Sequence, residues 1–128
     1  MRLHLIYRLV ILISLTFLTS CKEQFHDKDS KIILGEWVSD DDPNVQLFFG
    51  SKGTLIERYK GTPDQKSLYK LTNTCGNEYE KETIFLKIID NDSDIRCFEI
   101  FTISKEILSL RYLDNGKLFL YKRLAVQR

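Results

Sequence analysis

After residue 31 this chain consists of short runs rich in β-branched and aromatic residues, interrupted by Gly, Pro, Asn, Asp and Ser. No stretch there holds a 3.6-residue apolar period long enough for an amphipathic helix, so the pattern is that of a β protein. It predicts eight strands, at about 34–39, 45–50, 53–60, 66–73, 82–89, 95–104, 107–113 and 117–124. The breaks are chemically motivated. Asp40-Asp41-Asp42-Pro43-Asn44 cannot sit inside a hydrogen-bonded ladder. Gly50-Ser51-Lys52-Gly53 offers two residues free to adopt positive φ. Asn115-Gly116, between two apolar runs, is the strongest hairpin signal in the chain.

Alternation assigns faces to some of these strands. Leu108, Leu110 and Tyr112 oppose Ser109 and Arg111, which predicts one buried and one wet face. The run 97–103 is apolar on both sides, so its faces stay ambiguous. Eight short sequential strands, with no repeat and no βαβ rhythm, lead to an all-β fold. The expected form is a small eight-stranded antiparallel up-and-down β-barrel, with a sandwich as the other solution. An eight-stranded barrel is only wide enough to be filled by its own side chains or to hold one small ligand. With so many large aromatics in so short a chain, a largely filled interior is expected, with at most a shallow cavity at the open end.

The first 31 residues are different. Met1 to Arg8 is basic, and residues 9–18 form an uncharged apolar core. That core is too short to span a bilayer, which needs about 20 residues, and fits a signal segment. It ends in Leu18-Thr19-Ser20-Cys21, which resembles the lipobox of bacterial lipoproteins, cut before the cysteine and lipidated on its sulfur. The resemblance implies a signal peptide at 1–20, a lipidated Cys21 and a chain held at the membrane of a bacterial envelope. Lys22 stands where an Asp would imply retention at the inner membrane, so the outer membrane is expected. Residues 21–31, dense in charge, read as the lipidated cysteine and a flexible tether, and 32–128 as the domain.

Composition then excludes several classes. Of 19 basic residues, Arg2 and Arg8 fall in the signal, leaving 17 against 18 acids, or a net charge of −1. Such balance gives no field for collecting nucleic acid. With Cys21 lipidated, Cys75 and Cys97 remain as an even pair in an oxidising compartment, where a disulfide is expected. It would contribute about 3–4 kcal/mol; two free buried thiols are the alternative. His26, in the tether, is the only histidine after the signal, so neither a nucleophilic triad nor a four-ligand zinc site has its parts. Asp90-Asn91-Asp92-Ser93-Asp94 imitates the start of a calcium loop, but Ile95 and Phe101 stand where an EF-hand needs Gly and Glu. It reads as a solvated hairpin loop, and no metal or cofactor is expected. Glu57 and Glu99 lie within strands, where edge or outer-face positions are the simplest reading. No residue is a nameable catalytic base, and no enzyme is expected.

Gly35-Glu36-Trp37 on the first strand is similar to the Gly-x-Trp that opens lipocalins. Phe49-Gly50-Ser51-Lys52-Gly53 and Leu120-Tyr121-Lys122-Arg123 continue the pattern of small lipocalin-like lipoproteins of the Bacteroidetes type. The resemblance covers residues 32–124; it shows no second lipocalin motif and no pattern for a C-terminal helix. It implies a short lipocalin-like barrel in which Arg123, from the last strand, covers Trp37 at the closed end, a structural role. It also implies a binding module for a small apolar or amphipathic ligand. A protein-interaction module with a filled barrel, serving as accessory subunit or inhibitor, is the second expectation.

Overall fold

The computed structural model is described for residues 25–80 and 82–125, without the side chains of Phe25, His26 and Tyr79. The signal segment, Cys21 and the start of the tether lie outside the described residues. Among the described residues a short helix α1 (Phe25–Ile32) precedes ten strands. Eight of them, β1 (Gly35–Ser39), β2 (Val45–Phe49), β3 (Thr54–Tyr59), β4 (Gln65–Thr72), β7 (Phe85–Ile89), β8 (Ile95–Ile103), β9 (Ile107–Tyr112) and β10 (Leu118–Arg123), close into a barrel. Every pairing is antiparallel and between barrel strands adjacent in the chain, with β10 returning to β1. The barrel is therefore an up-and-down one, as the spacing of the turns predicts. Closure leaves the barrel itself without a free edge.

The remaining strands, β5 (Thr74–Cys75) and β6 (Glu78–Tyr79), form a small hairpin between β4 and β7. The sequence reads this segment as loop. The hairpin explains the apolar outer positions of β7 and β8 at Phe85 and Cys97. Leu86, Ile88, Phe98 and Ile100 join the barrel core, while Phe85 and Cys97 join Cys75 in a second cluster outside it. Cys75 and Cys97 are joined by a disulfide, which ties the hairpin to the outer surface of β8. In β8 the register with β9 shifts between Ile100 and Thr102. This bulge puts Phe101 outside, 53% exposed, with the Arg111 guanidinium over its ring.

Large apolar side chains point into the barrel. Trp37, Phe49, Leu55, Leu86, Leu108 and Leu110 are all essentially fully buried, as is Ile33 from the segment before β1. The expectation that residues 25–31 belong to a flexible tether is corrected here, because they form α1. The helix is weak by local criteria. Its ion pair between Asp27 and Lys31 is widely exposed and contributes little. What holds it is its end. Ile33 enters the core, and the carbonyls that close the helix find donors on the barrel. Trp37 Nε1 donates to the Ile33 carbonyl at 2.8 Å. Arg123 donates through Nη1 to the Leu34 carbonyl at 2.7 Å and through Nη2 to that of Ile32. A helix leaves its last carbonyls unsatisfied and presents a negative end there, so an arginine and an indole N–H suit it.

Arg123 stands opposite Trp37 in the β1–β10 register, and its guanidinium carbon lies 4.2 Å from the ring centroid. Its Nε also donates to the Lys105 carbonyl in the β8–β9 turn at 2.5 Å. One side chain thus joins β10, the α1–β1 junction and the β8–β9 turn. The glycine of Gly-x-Trp has a physical role in this packing. Gly35 has φ of +108°, and a Cβ there would meet Arg123 Nη1 at 3.0 Å.

Arg123→Ala is expected to lower the free energy of unfolding by about 3 kcal/mol, from the lost stack and charged hydrogen bonds. Urea titration followed by circular dichroism measures this. Arg123→Lys should restore less than half, because an ammonium cannot meet three carbonyls while lying flat on an indole.

Candidate functional site

At the end of the barrel away from α1, the wall alternation brings polar groups inward. Glu57 follows Leu55 by two residues on β3, so both point into the barrel, and Glu57 is 5% exposed. The outer-face reading of Glu57 is thereby corrected: a charge on the inward face is stable where a countercharge reaches it. That partner is Arg96, at the start of β8. Its Nη1 and Nη2 donate to Oε1 and Oε2 of Glu57 at 3.1 and 2.6 Å. The same guanidinium donates through Nε and Nη2 to Asp90 Oδ2 and Oδ1, both at 2.9 Å. Ser67, buried on β4, donates its hydroxyl to Asp90 Oδ1 at 2.8 Å. Since β7 and β4 lie between β8 and β3 in the barrel order, Arg96 reaches across the mouth from one wall to another.

The electrostatics follow from this geometry. Hydrogen bonds from Arg96 hold the Asp90 carboxyl below its ordinary value, against a smaller opposing effect of burial. Hydrogen bonds to Glu57 and Asp90 hold the Arg96 guanidinium firmly charged. Tyr121 and Tyr59, beside the cluster, are pushed up chiefly by burial and stay neutral. Both oxygens of Glu57 and both of Asp90 already accept from Arg96, so neither carboxylate is poised as a free base towards a substrate. The arrangement bridges the mouth with charge and fixes three walls relative to one another.

The loops around the mouth are acidic. Asp64, Asp92 and Asp94 line a shallow recess of about 550 Å³ with Gln65, Lys66, Ser67, Asp90 and Asn91, and its walls carry no apolar side chain. Several acids have structural partners. Asp42 accepts from the backbone N–H and side-chain amide of Asn44, Asp64 pairs with Arg58, and Asp40 lies 2.5 Å from Lys122. In the loop with calcium-like spacing, Asp90 turns inward to Arg96 while Asp92 and Asp94 stay exposed. Among the described residues no group of three or more His, Cys, Asp or Glu side chains is placed to hold a metal ion.

The residues singled out from sequence fall apart in space. Gly35, Trp37 and Arg123 meet at the closed end, Cys75 and Cys97 join outside the wall, and Cys21 lies outside the described residues. Glu99 lies on the outer side of β8, ion-paired to Arg111. The mouth cluster is what sequence reasoning missed. Its available signal was Glu57 in phase with Leu55 on a strand whose other inward residues are apolar. No family model matches the chain, and no match is found among curated proteins or solved structures.

Two outcomes are expected of this cluster. Arg96→Met should cost about 3 kcal/mol of stability, because it leaves the Glu57 carboxylate buried without a partner. The double change with Glu57→Met should be more stable than Arg96→Met alone, and a double-mutant cycle in urea measures the coupling. Acid gives a second test. Asp90 titrates lower in the folded chain than in the unfolded one, so the stability it contributes is present above the unfolded value and lost as pH falls through the folded one. Between about pH 5 and pH 2 the unfolding midpoint of the wild type should therefore fall more steeply than that of Asp90→Asn.

Proposed function

We propose that this chain is a non-catalytic envelope protein of the lipocalin-like lipoprotein type, anchored through lipid on Cys21, whose filled barrel acts as a protein-interaction module. The observation that carries this reading is the barrel's interior. Bulky apolar side chains are buried inside it, and the Arg96 bridge spans the mouth beside a recess lined by polar residues. Sites for small apolar ligands are concave and lined mainly by apolar groups. Such a ligand would have to break the Arg96 network and displace the side chains beneath it. A rigid barrel instead presents loops and outer walls of fixed geometry, which suits an accessory subunit or inhibitor in an envelope complex. Nucleic acid is not a partner in this reading, because the mature chain is close to charge balance. Lys22 after the cysteine supports the outer membrane as the location.

Native mass spectrometry of protein taken from its own envelope tests both halves. The expected mass is that of the chain from Cys21 with its acyl groups, and Cys21→Ala should leave the membrane fraction. An unmodified Cys21 peptide would remove the anchor. An apolar small molecule retained in stoichiometric amount would overturn the filled-barrel reading in favour of a ligand carrier.

A further inference from the structure

The outer wall formed by β4 and β7 has a composition unlike the acidic mouth. In the register, Leu68 of β4 stands opposite Ile89 of β7, and Ile89 opposite Ile95 of β8, so three aliphatic side chains form one row across three strands. Leu68 is 56% exposed and Ile95 52%. Lys66 and Lys70 flank Leu68 on the same face of β4, and Lys87 flanks Ile89 on β7. Lys70 stands directly opposite Lys87. Like charges at opposed positions destabilise a sheet. Lys66 also lines the acidic recess with Asp64, Asp92 and Asp94, whereas Lys70 and Lys87 have no acidic residue beside them on the outer faces of β4 and β7; among the described residues none of the three lysines forms an ion pair. An aliphatic row beside the opposed, unpaired Lys70 and Lys87 fits a partner that offers negative charge and an apolar layer beneath it.

We infer that this β4–β7 wall lies against the anionic surface of the bilayer that carries the chain, setting the orientation of the domain. The inference rests on the lipid-anchor reading for its geometry. Three residues stand between Cys21 and Phe25, so four Cα–Cα steps join them, a reach of at most about 14 Å. The helix that begins at Phe25 packs beside β4. The anchor thus holds the domain close to the membrane on the β4 side. Lysines near an anionic surface each add to attraction, and aliphatic side chains between them add apolar contact with the interface. The same orientation leaves β1 and β10, on the opposite wall, facing away from the lipid.

Lysine footprinting tests this without altering the protein. Acylated protein purified from its envelope is placed in vesicles of phosphatidylcholine alone, or with roughly one third phosphatidylglycerol, and acetylated briefly before mass spectrometry. Lys66, Lys70 and Lys87 should react about fivefold more slowly in the anionic vesicles, and ~0.5 M salt should erase most of the difference. Lys117 and Lys122, on the far wall, should react alike in both. Equal reactivity of Lys66, Lys70 and Lys87 in the two vesicle types would overturn the inference, as would equal slowing of all five lysines. The mass of the Cys21 peptide from the same digest reports separately on the anchor. If that peptide is unmodified, the protein is added to preformed vesicles, and the same lysine pattern decides for or against the wall.

Discussion

The contact on which the closed end depends is the Arg123 guanidinium lying over the indole of Trp37. It is more than a favourable stack. The plane that covers the indole aims its N–H groups at carbonyls of residues 32, 34 and 105, while the indole N–H takes that of residue 33. Backbone carbonyls at a buried helix end and strand start are thereby satisfied, at a point where apolar packing alone would leave them stranded. Ile33 can then be buried as a plug. Gly35 follows from the same packing, since it combines a positive φ with the close approach of Arg123.

A second arginine organises the other end in a different way. Arg96 carries its charge inward and binds two carboxylates from different parts of the barrel, with Ser67 completing the set. Between these two ends lies a continuous apolar core. Such an interior is closed below by a cation stacked on an aromatic and above by a cation held between anions. The proposed interaction reading rests on that arrangement. The outside is correspondingly differentiated, with acidic loops around the mouth, a disulfide-tied hairpin over β7 and β8, and the lysine-bordered aliphatic row on β4 and β7.

Much of this was legible in the residues. The turns at Gly50–Gly53 and Asn115–Gly116 require backbone conformations that only a few residue types accept, so they marked strand ends closely. The alternation of Leu108, Leu110 and Tyr112 showed the inner face of β9. Where alternation was ambiguous, in the run 97–103, the reasons are local: Cys97 is buried outside the barrel against the hairpin, and the bulge at Phe101 shifts the phase. Residues 25–31 misled for the opposite reason. Their composition is that of a solvated segment, and nothing local shows that donors on strands β1 and β10 will hold the end of a helix there.

The sequence by itself determined the number and direction of the barrel strands, because turn chemistry and a period of two are properties of neighbouring residues. It also contained the lipobox-like Leu18-Thr19-Ser20-Cys21 and the cysteine pair, whose meaning depends on chemistry and spacing. Only the tertiary structure decided that Glu57 is a buried anion, that Arg96 bridges the mouth, and that three lysines and three aliphatic side chains share one wall. Those outcomes depend on which strands become neighbours and in what register. Barrel closure settles that by bringing residues about 40 positions apart, such as Glu57 and Arg96, within hydrogen-bonding distance.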